Sequence, residues 1–476
     1  MLPRRAKIVC TIGPASAAPE KLAALMEAGM DVARLNFSHG THQDHALVIG
    51  ELRRLAARRG RPLAILQDLQ GPKIRTGPLE AGPVELRAGA SFAITTRPVP
   101  GDAARVSTTY PQLPGDVKPG DQLLLSDGLL RLEVREVRGE EVECRVVDGG
   151  QLRARAGINL PGVAVSAPSL TEKDLEDLEF GISQEVDYVA LSFVRRAADV
   201  LDLKERLARR QAPIGVVPKI EKPEALGELE AILQAADAVM IARGDLGVEL
   251  SPERVPFVQK QILRQAAQLK VPVITATQML ESMIEHPRPT RAEASDVANA
   301  VFDGTDAVML SGETAAGRYP VEAVAMMARI VGEAETHLAF TPERRRRDEG
   351  LIAFPDAMAE AACRAAAEVR AVAVVAFTQS GFTARLISKH RPPVPVVAFT
   401  PHPHILRRLG LYWGVLPRHS SFIADTEQMI ARADQALLQE GLTRPGDPLV
   451  FLAGSPPHQQ GTTNLMKLHR AGEGLA

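Results

Sequence analysis

Eight short runs rich in apolar and β-branched residues recur along the first two thirds of this 476-residue chain, at 7–12, 32–37, 63–69, 188–193, 214–220, 238–242, 271–277 and 307–310. Polar or glycine-containing turns bound each run, and most are separated by a segment with helical spacing, such as 19–28 or 258–269. Strands that are apolar throughout and alternate with amphipathic helices belong to a parallel sheet covered by helices. Eight such units predict a closed (β/α)₈ barrel of the TIM type, which explains the count better than a doubly wound open sheet does.

Most runs follow one another at about the 25–35 residues of a βα unit. The third and fourth are more than a hundred residues apart, too far for a loop inside a compact domain, so the gap predicts an inserted domain. Its pattern changes accordingly to short alternating strands, as in Leu130-Arg-Leu-Glu-Val-Arg-Glu-Val and Val142-Glu-Cys-Arg-Val, with turns at Pro119-Gly-Asp and Asp148-Gly-Gly. A small β-barrel or sandwich is the expectation. After the eighth run comes a helix and then Glu343-Arg-Arg-Arg-Arg-Asp-Glu, whose mixed charge reads as a solvated linker. From about residue 350 a helix at 357–368, strands at 371–377 and 394–399, and further strands near Val415 and at 449–452 predict an open α/β domain. The expected division is a barrel from 1–71 and 160–342, a β lid from 72–159, and a C-terminal α/β domain from 350–476.

Composition excludes several classes. A formal net charge of −2 gives no reason to expect nucleic acid or an anionic membrane as a partner. The longest apolar stretches, such as 371–377, are far short of the ~18 residues that a membrane helix needs. Arg4-Arg5 is followed by no sustained apolar region of an export signal, so a cytoplasmic location is expected. Cys10, Cys144 and Cys363 lie far apart, without metal-ligand spacing, and read as reduced thiols.

In a barrel of this kind the active site gathers at the C-terminal ends of the strands. The second run ends in Arg34-Leu-Asn36-Phe-Ser38-His39, and the third in Asp68-Leu69-Gln-Gly-Pro-Lys73-Ile-Arg75. The fifth gives Lys219-Ile-Glu221-Lys222, the sixth Arg243-Gly244-Asp245, the seventh Thr277-Gln278 and the eighth Ser311-Gly-Glu313-Thr314. Each charge taken singly would pass for an ion pair on a barrel rim. Together, at six strand ends, they predict a site. Glu221 and Asp245, on adjacent strands, suit one hard divalent cation completed by substrate oxygens and water. The arginines and Lys219 suit a phosphorylated, acidic substrate, and the exposed N–H groups of Gly244-Asp245-Leu-Gly247 suit a carboxylate or phosphate.

Arg34–Gly40 (RLNFSHG), 71–77 (GPKIRTG), 159–162 (NLPG), 219–221, 243–247, 276–283 (ATQMLESM) and 309–314 (MLSGET) resemble the pyruvate kinase family. The similarity runs from Lys7 to about Pro320 and continues more loosely beyond. The resemblance implies transfer of the phosphoryl group of phosphoenolpyruvate to ADP, giving ATP and pyruvate, with Mg²⁺ as cofactor and Mn²⁺ as a substitute. It implies Lys219, Arg34 and Thr277 as catalytic residues, with Arg34, Lys219, Gly244, Asp245 and Thr277 on phosphoenolpyruvate. By the same resemblance Asn36 and Arg75 contact nucleotide, Glu221 and Asp245 hold Mg²⁺, and Asn36, Ser38, Asp68 and the carbonyl of Leu69 match a monovalent-cation site. A homotetramer, and a phosphorylated-metabolite effector at Thr378, Ser380, Gly381 and Thr383 near 454–463, are implied likewise.

Two departures from the family pattern bear on function. Ala156 stands where a lysine is usual in the lid, leaving Arg153 or Arg155 to supply the charge, with Asp127 as another lid candidate. Lys73 stands where potassium-dependent members have glutamate, and Leu69-Gln70 where they have threonine and lysine. A tethered ammonium replaces a bound monovalent cation, so K⁺ is expected to be dispensable. The rival readings are a magnesium-dependent lyase or aldolase passing through a pyruvate enolate, and a non-catalytic metabolite-binding regulator.

Overall fold

The eight apolar runs are strands because their β-branched side chains pack on both faces, inward to the barrel axis and outward to helices. In the computed structural model, which describes residues 4–163, 165–338, 353–421, 423, 425–455 and 462–473, they close into one parallel barrel. The strands in chain order are Lys7–Ile12, Val32–Asn36, Ala64–Asp68, Tyr188–Leu191, Gly215–Ile220, Val239–Ala242, Val273–Ala276 and Ala307–Leu310. Each pairs with its chain neighbours, and the first closes on the eighth through Lys7↔Ala307 to Cys10↔Leu310. The fourth and seventh strands stop at Leu191 and Ala276, short of the runs that predicted them. The residues beyond turn left-handed, with φ 56° at Phe193 and 69° at Thr277, which ends the ladder and turns the chain into the mouth.

Val9, Val32, Ala64, Leu66, Val217, Met240, Ile274 and Met309 fill the interior, and the same apolar cluster continues through Tyr188 to Leu409, Leu411 and Tyr412. The barrel is therefore plugged from below by the C-terminal part of the chain. Each fully buried Leu, Ile, Val or Met contributes about 1.5–3 kcal/mol of transfer free energy. Outer helices start on side-chain caps: Thr41, Thr171 and Thr290 each form a reciprocal capping box with the acid three residues on.

Between the third and fourth barrel strands the chain forms a six-stranded sheet and a two-stranded ribbon. Alternation sets its core: Leu130, Leu132 and Val134 face inward with Val142, Cys144 and Val146 of the neighbouring strand. Gly71 opens the excursion at φ 68°, where an added Cβ would lie 2.8 Å from Phe193 Cδ2 and 3.0 Å from Ser192 Cβ. A side chain there would push the exit away from the mouth.

The C-terminal sheet runs in the order Val415–His419, Val396–Thr400, Ala373–Phe377, Pro448–Ala453, Leu465–Arg470; only the last strand is antiparallel. Sequence reading passed over that last strand, because an edge strand carrying Lys467, His469 and Arg470 lacks the continuous apolar signature. The charged linker at 343–349 lies outside the described residues. All three cysteines are free and buried, and no helix among the described residues is long and apolar enough to cross a membrane.

Candidate active site

Barrel closure brings the ends of the second, third, fourth and fifth strands into one polar group. Lys219 Nζ donates to Ser192 Oγ at 2.8 Å and lies 3.3 Å from Glu221 Oε2 and 3.5 Å from Asp68 Oδ1. Asp68 Oδ2 accepts from Arg34 Nε at 2.6 Å, and Arg34 Nη1 donates to Thr11 Oγ1 at 2.9 Å. These side chains are almost wholly removed from water: 0% exposed for Glu221, 1% for Asp68, 11% for Arg34 and 12% for Lys219.

Burial in such a group acts against every charge, so the balance of neighbours decides each state. At Lys219 burial works toward the neutral amine, but Asp68, Glu221 and Asp245 overrule it and hold the ammonium more firmly than usual. Burial would also raise Asp68, yet Lys219 and Arg34 pull it below the usual carboxylate range. Glu221 goes the other way. Burial, with Asp245 adding to it, pushes its carboxyl up to about 7 against the opposing pull of Lys219 and the Phe193 N–H.

Glu221 Oε2 is buried without a hydrogen-bond partner. A buried carboxylate oxygen in that state calls for a cation beyond what Lys219 provides. Asp245, in the helix Arg243–Glu249 that follows the sixth strand, couples electrostatically to both Lys219 and Glu221. Among the described residues there is no group of three or more His, Cys, Asp or Glu able to hold a metal. Two carboxylates fit Mg²⁺, which takes few protein ligands and keeps places for phosphate oxygens and water.

The residues expected to receive a substrate carboxylate lie together. Gly244 N–H donates to Thr277 Oγ1 at 2.6 Å, and that hydroxyl donates to the Ala276 carbonyl at 2.6 Å. Three of the four groups assigned to a monovalent cation are engaged inside the site. Asn36 Oδ1 accepts from Ser38 N–H at 3.1 Å, Asp68 is taken by Arg34 and Lys219, and the Leu69 carbonyl accepts from Ser192 Oγ at 2.7 Å.

A cleft between barrel and lid is lined by Lys73, Asp127, Asn159, Arg195, Lys222 and Asp245. Lys73 is exposed on its wall. Arg75 Nη1 donates to the Arg155 carbonyl at 3.1 Å, so its fork is tied to the lid, whereas the Arg153 and Arg155 side chains are exposed. Asn159 Nδ2 donates to Glu249 Oε1 at 3.0 Å, and Lys222 pairs with the same carboxylate.

Thr11 and Ser192 escaped the sequence reading, which examined the ends of six strands and passed over the first and fourth. The same rule applied to those two would have found them. The Phe193 amide on Glu221 had no such signal, because a backbone donor is indifferent to residue type.

In the C-terminal domain Thr378 Oγ1 accepts from Gly381 N–H at 2.9 Å, and Gly381 at φ 86° starts the helix Phe382–Lys389. A pocket there is lined by Thr378, Ser380, Thr383, Thr400, Ser420 and Thr462, with Gly454 alongside; residues 456–461 of the neighbouring segment lie outside the described set.

Residues 3–324 match the family described as "Pyruvate kinase, barrel domain", and residues 356–469 match "Pyruvate kinase, alpha/beta domain". The pyruvate kinase of Geobacillus stearothermophilus is 47% identical over 477 residues, covering 99% of this chain and 81% of the relative. That of Bacillus licheniformis is 46% identical with the same coverage. A crystal structure of a pyruvate kinase from Cryptosporidium parvum superposes with a TM-score of 0.91 at 38% identity, covering 98% of this chain and 96% of that one.

Proposed function

The chain belongs to the pyruvate kinase family, and we propose that the buried group Asp68–Lys219–Glu221 is where its phosphoryl transfer takes place. The enzyme moves the phosphoryl group of phosphoenolpyruvate to ADP, giving ATP and pyruvate, and its family is generally Mg²⁺-dependent. The observation that carries the placement is the buried Oε2 of Glu221, with its carboxyl pushed up to about 7. Among the described residues it has no hydrogen bond and only the Lys219 ammonium, 3.3 Å away, as an ion-pair partner.

Phosphoryl transfer asks for alignment and for positive charge where negative charge develops. Lys219, kept protonated by three carboxylates, faces the transferring oxygens and the enolate left behind. Arg34, held through Nε by Asp68 and through Nη1 by Thr11, contacts the phosphoryl group without needing to reorganise. Gly244 N–H, Asp245 and Thr277 seat the carboxylate, and Thr277 lies near the route of proton delivery to the enolate. Arg75 and Asn36 meet the nucleotide. Glu221 and Asp245 would hold Mg²⁺, or Mn²⁺ as a substitute, and the bound ion would supply positive charge for phosphate oxygens. Closure of the inserted domain excludes water and limits hydrolysis of phosphoenolpyruvate. The coupled release of pyruvate from phosphoenolpyruvate and ADP, with and without Mg²⁺, tests this reading. Turnover that is indifferent to Mg²⁺ would remove Glu221 and Asp245 as ligands.

Turnover does not require K⁺. Lys73 stands on the wall of the cleft that Asp245 also lines, and its ammonium supplies the positive charge a monovalent cation would bring. The measurement is activity in tetramethylammonium buffer titrated with KCl at constant ionic strength. Activation of tenfold or more would overturn the claim, and Lys73→Glu is expected to create that dependence.

The hydroxyl-lined pocket at Thr378, Ser380, Gly381 and Thr383 takes a phosphorylated effector, at the start of a helix whose free N–H groups suit phosphate. A panel of sugar phosphates and nucleoside monophosphates is expected to contain one that lowers the apparent KM for phosphoenolpyruvate. No binding by any of them defeats the claim. The barrel (1–71 and 160–342), lid (72–159) and regulatory domain (350–476) act in a cytoplasmic homotetramer.

A further inference from the structure

Thr277 and Gln278 are consecutive residues with φ of 69° and 53°, neither of them glycine. For a β-branched threonine a positive φ is an outlier, and it persists only where the surroundings over-determine it. What surrounds it is the side chain of Arg243, only 10% exposed. Nη2 donates to the Thr277 carbonyl at 2.8 Å and the Gln278 carbonyl at 3.4 Å, and Nε reaches the carbonyls of Ala276 and Thr277, both at 3.3 Å. Asp296 clasps the fork with both oxygens, Oδ1 2.9 Å from Nη1 and Oδ2 2.8 Å from Nη2. Three successive carbonyls thus converge on one cation. Their dipoles repel one another, and a planar guanidinium with five donors cancels that repulsion in a way a single ammonium cannot.

We propose that Arg243 is a positioning residue for phosphoenolpyruvate: by gathering the carbonyls of residues 276–278 it holds Thr277 left-handed, which keeps Thr277 Oγ1 2.6 Å from Gly244 N–H in the carboxylate seat. The proposal rests on the reading, given above, that these two groups receive the carboxylate. Arg243 itself is turned away from the seat, under the end of the seventh strand, so it acts through backbone shape.

The test is steady-state kinetics on Arg243→Met, Arg243→Lys, Asp296→Asn and Thr277→Ala, with thermal unfolding of each. Arg243→Met is expected to raise KM for phosphoenolpyruvate at least tenfold while KM for ADP moves less than threefold. Arg243→Lys is expected to stay within threefold of Arg243→Met, because the fork and not the charge is needed. Adding Gln278→Gly to Arg243→Met is expected to recover threefold or more, since glycine adopts positive φ freely. A merely structural arginine would raise both KM values together and show no rescue, and that result overturns the proposal, as does a phosphoenolpyruvate KM within twofold of wild type. If Arg243→Met does not fold, Asp296→Asn decides: a rise of threefold or more for phosphoenolpyruvate alone supports the proposal, and no change defeats it. Thr277→Ala separates the two claims. If it leaves the phosphoenolpyruvate KM unchanged, the carboxylate seat itself is misassigned. If it raises that KM while Arg243→Met does not, only the role of Arg243 fails.

Discussion

The two ends of the barrel use the same residue types to opposite effect. At the floor, Asp31, Asp187, Asp237 and Asp306 stand at the feet of the second, fourth, sixth and eighth strands. Each accepts the amide of the odd-numbered neighbour, at Ile8, Ile65, Val216 and Val273 respectively, over 2.7–2.9 Å. Each also meets cations: Asp31 has Arg4 and Arg61, and Asp187 has Arg53 and Arg407. Asp237 has Lys204 and Arg408, and Asp306 has Lys389 and Arg391. Three of the four thereby bind the C-terminal domain to the barrel. At the mouth, Glu221 Oε2 lacks a hydrogen bond, as Asp306 Oδ1 does at the floor. Asp306, however, has two cations at 2.8 Å that hold its carboxyl low, whereas Glu221 has, among the described residues, only Lys219, at 3.3 Å, and a carboxyl pushed up to about 7. Two cations per carboxylate fix the floor; at the mouth one lysine is shared by Asp68 and Glu221, and the surplus negative charge leaves work for a ligand.

That contrast is sharpest for single lysines and aspartates. Lys219→Met is expected to lower kcat by roughly 10³ or more, about 4 kcal/mol in the barrier, with substrate binding and unfolding near normal. A folded variant within tenfold of wild type would break the assignment of the mouth.

Asp306→Asn is expected to do the reverse. It leaves Lys389 and Arg391 facing a neutral group and costs about 3–5 kcal/mol of stability, read from urea unfolding. Turnover per folded molecule is expected to change little. Equal stability with lost turnover would erase the distinction between the two ends.

Glu221→Gln and Asp245→Asn are expected to shift the Mg²⁺ titration of activity upward by about tenfold or more, each factor of ten being about 1.4 kcal/mol. Unchanged titrations in both would show that the unpartnered carboxylate oxygen has another purpose.

The smallest effect is in acid. Burial alone would raise Asp306 and Asp31, but Arg391 and Lys389 at the first, and Arg4, Lys7 and Arg61 at the second, hold both below the usual range. Folded values below the unfolded one, about 3.9, mean stability that is complete above about pH 4 and lost as pH falls through the folded values. Urea midpoints between pH 5 and 2.5 are expected to fall less steeply in Asp306→Asn, by at most one proton, or about 1.4 kcal/mol per pH unit. Identical slopes would show that Asp306 does not carry the acid sensitivity.

Legibility followed locality. The barrel strands were readable because a continuously apolar run records burial on both faces, and the placement of Lys219, Glu221, Asp245 and Thr277 at strand ends followed from where those runs stop. The edge strand Leu465–Arg470 and the hub at Ser192 were not readable in this way. One is half exposed, and the other is a small hydroxyl whose partners come from the third and fifth strands.

By itself the sequence determined the alternation of strand and helix, the excursion after the third strand, and which side chains stand at the strand ends. Those follow from periodicity, turn chemistry and chain distance, all of which are local. Only the tertiary structure decided that Lys219 meets Ser192, Asp68 and Glu221, that Thr277 is bent left-handed under Arg243, and that the floor carboxylates are each paired. Those contacts join residues tens to hundreds of positions apart, and the charge state of each depends on what else covers it once water is gone.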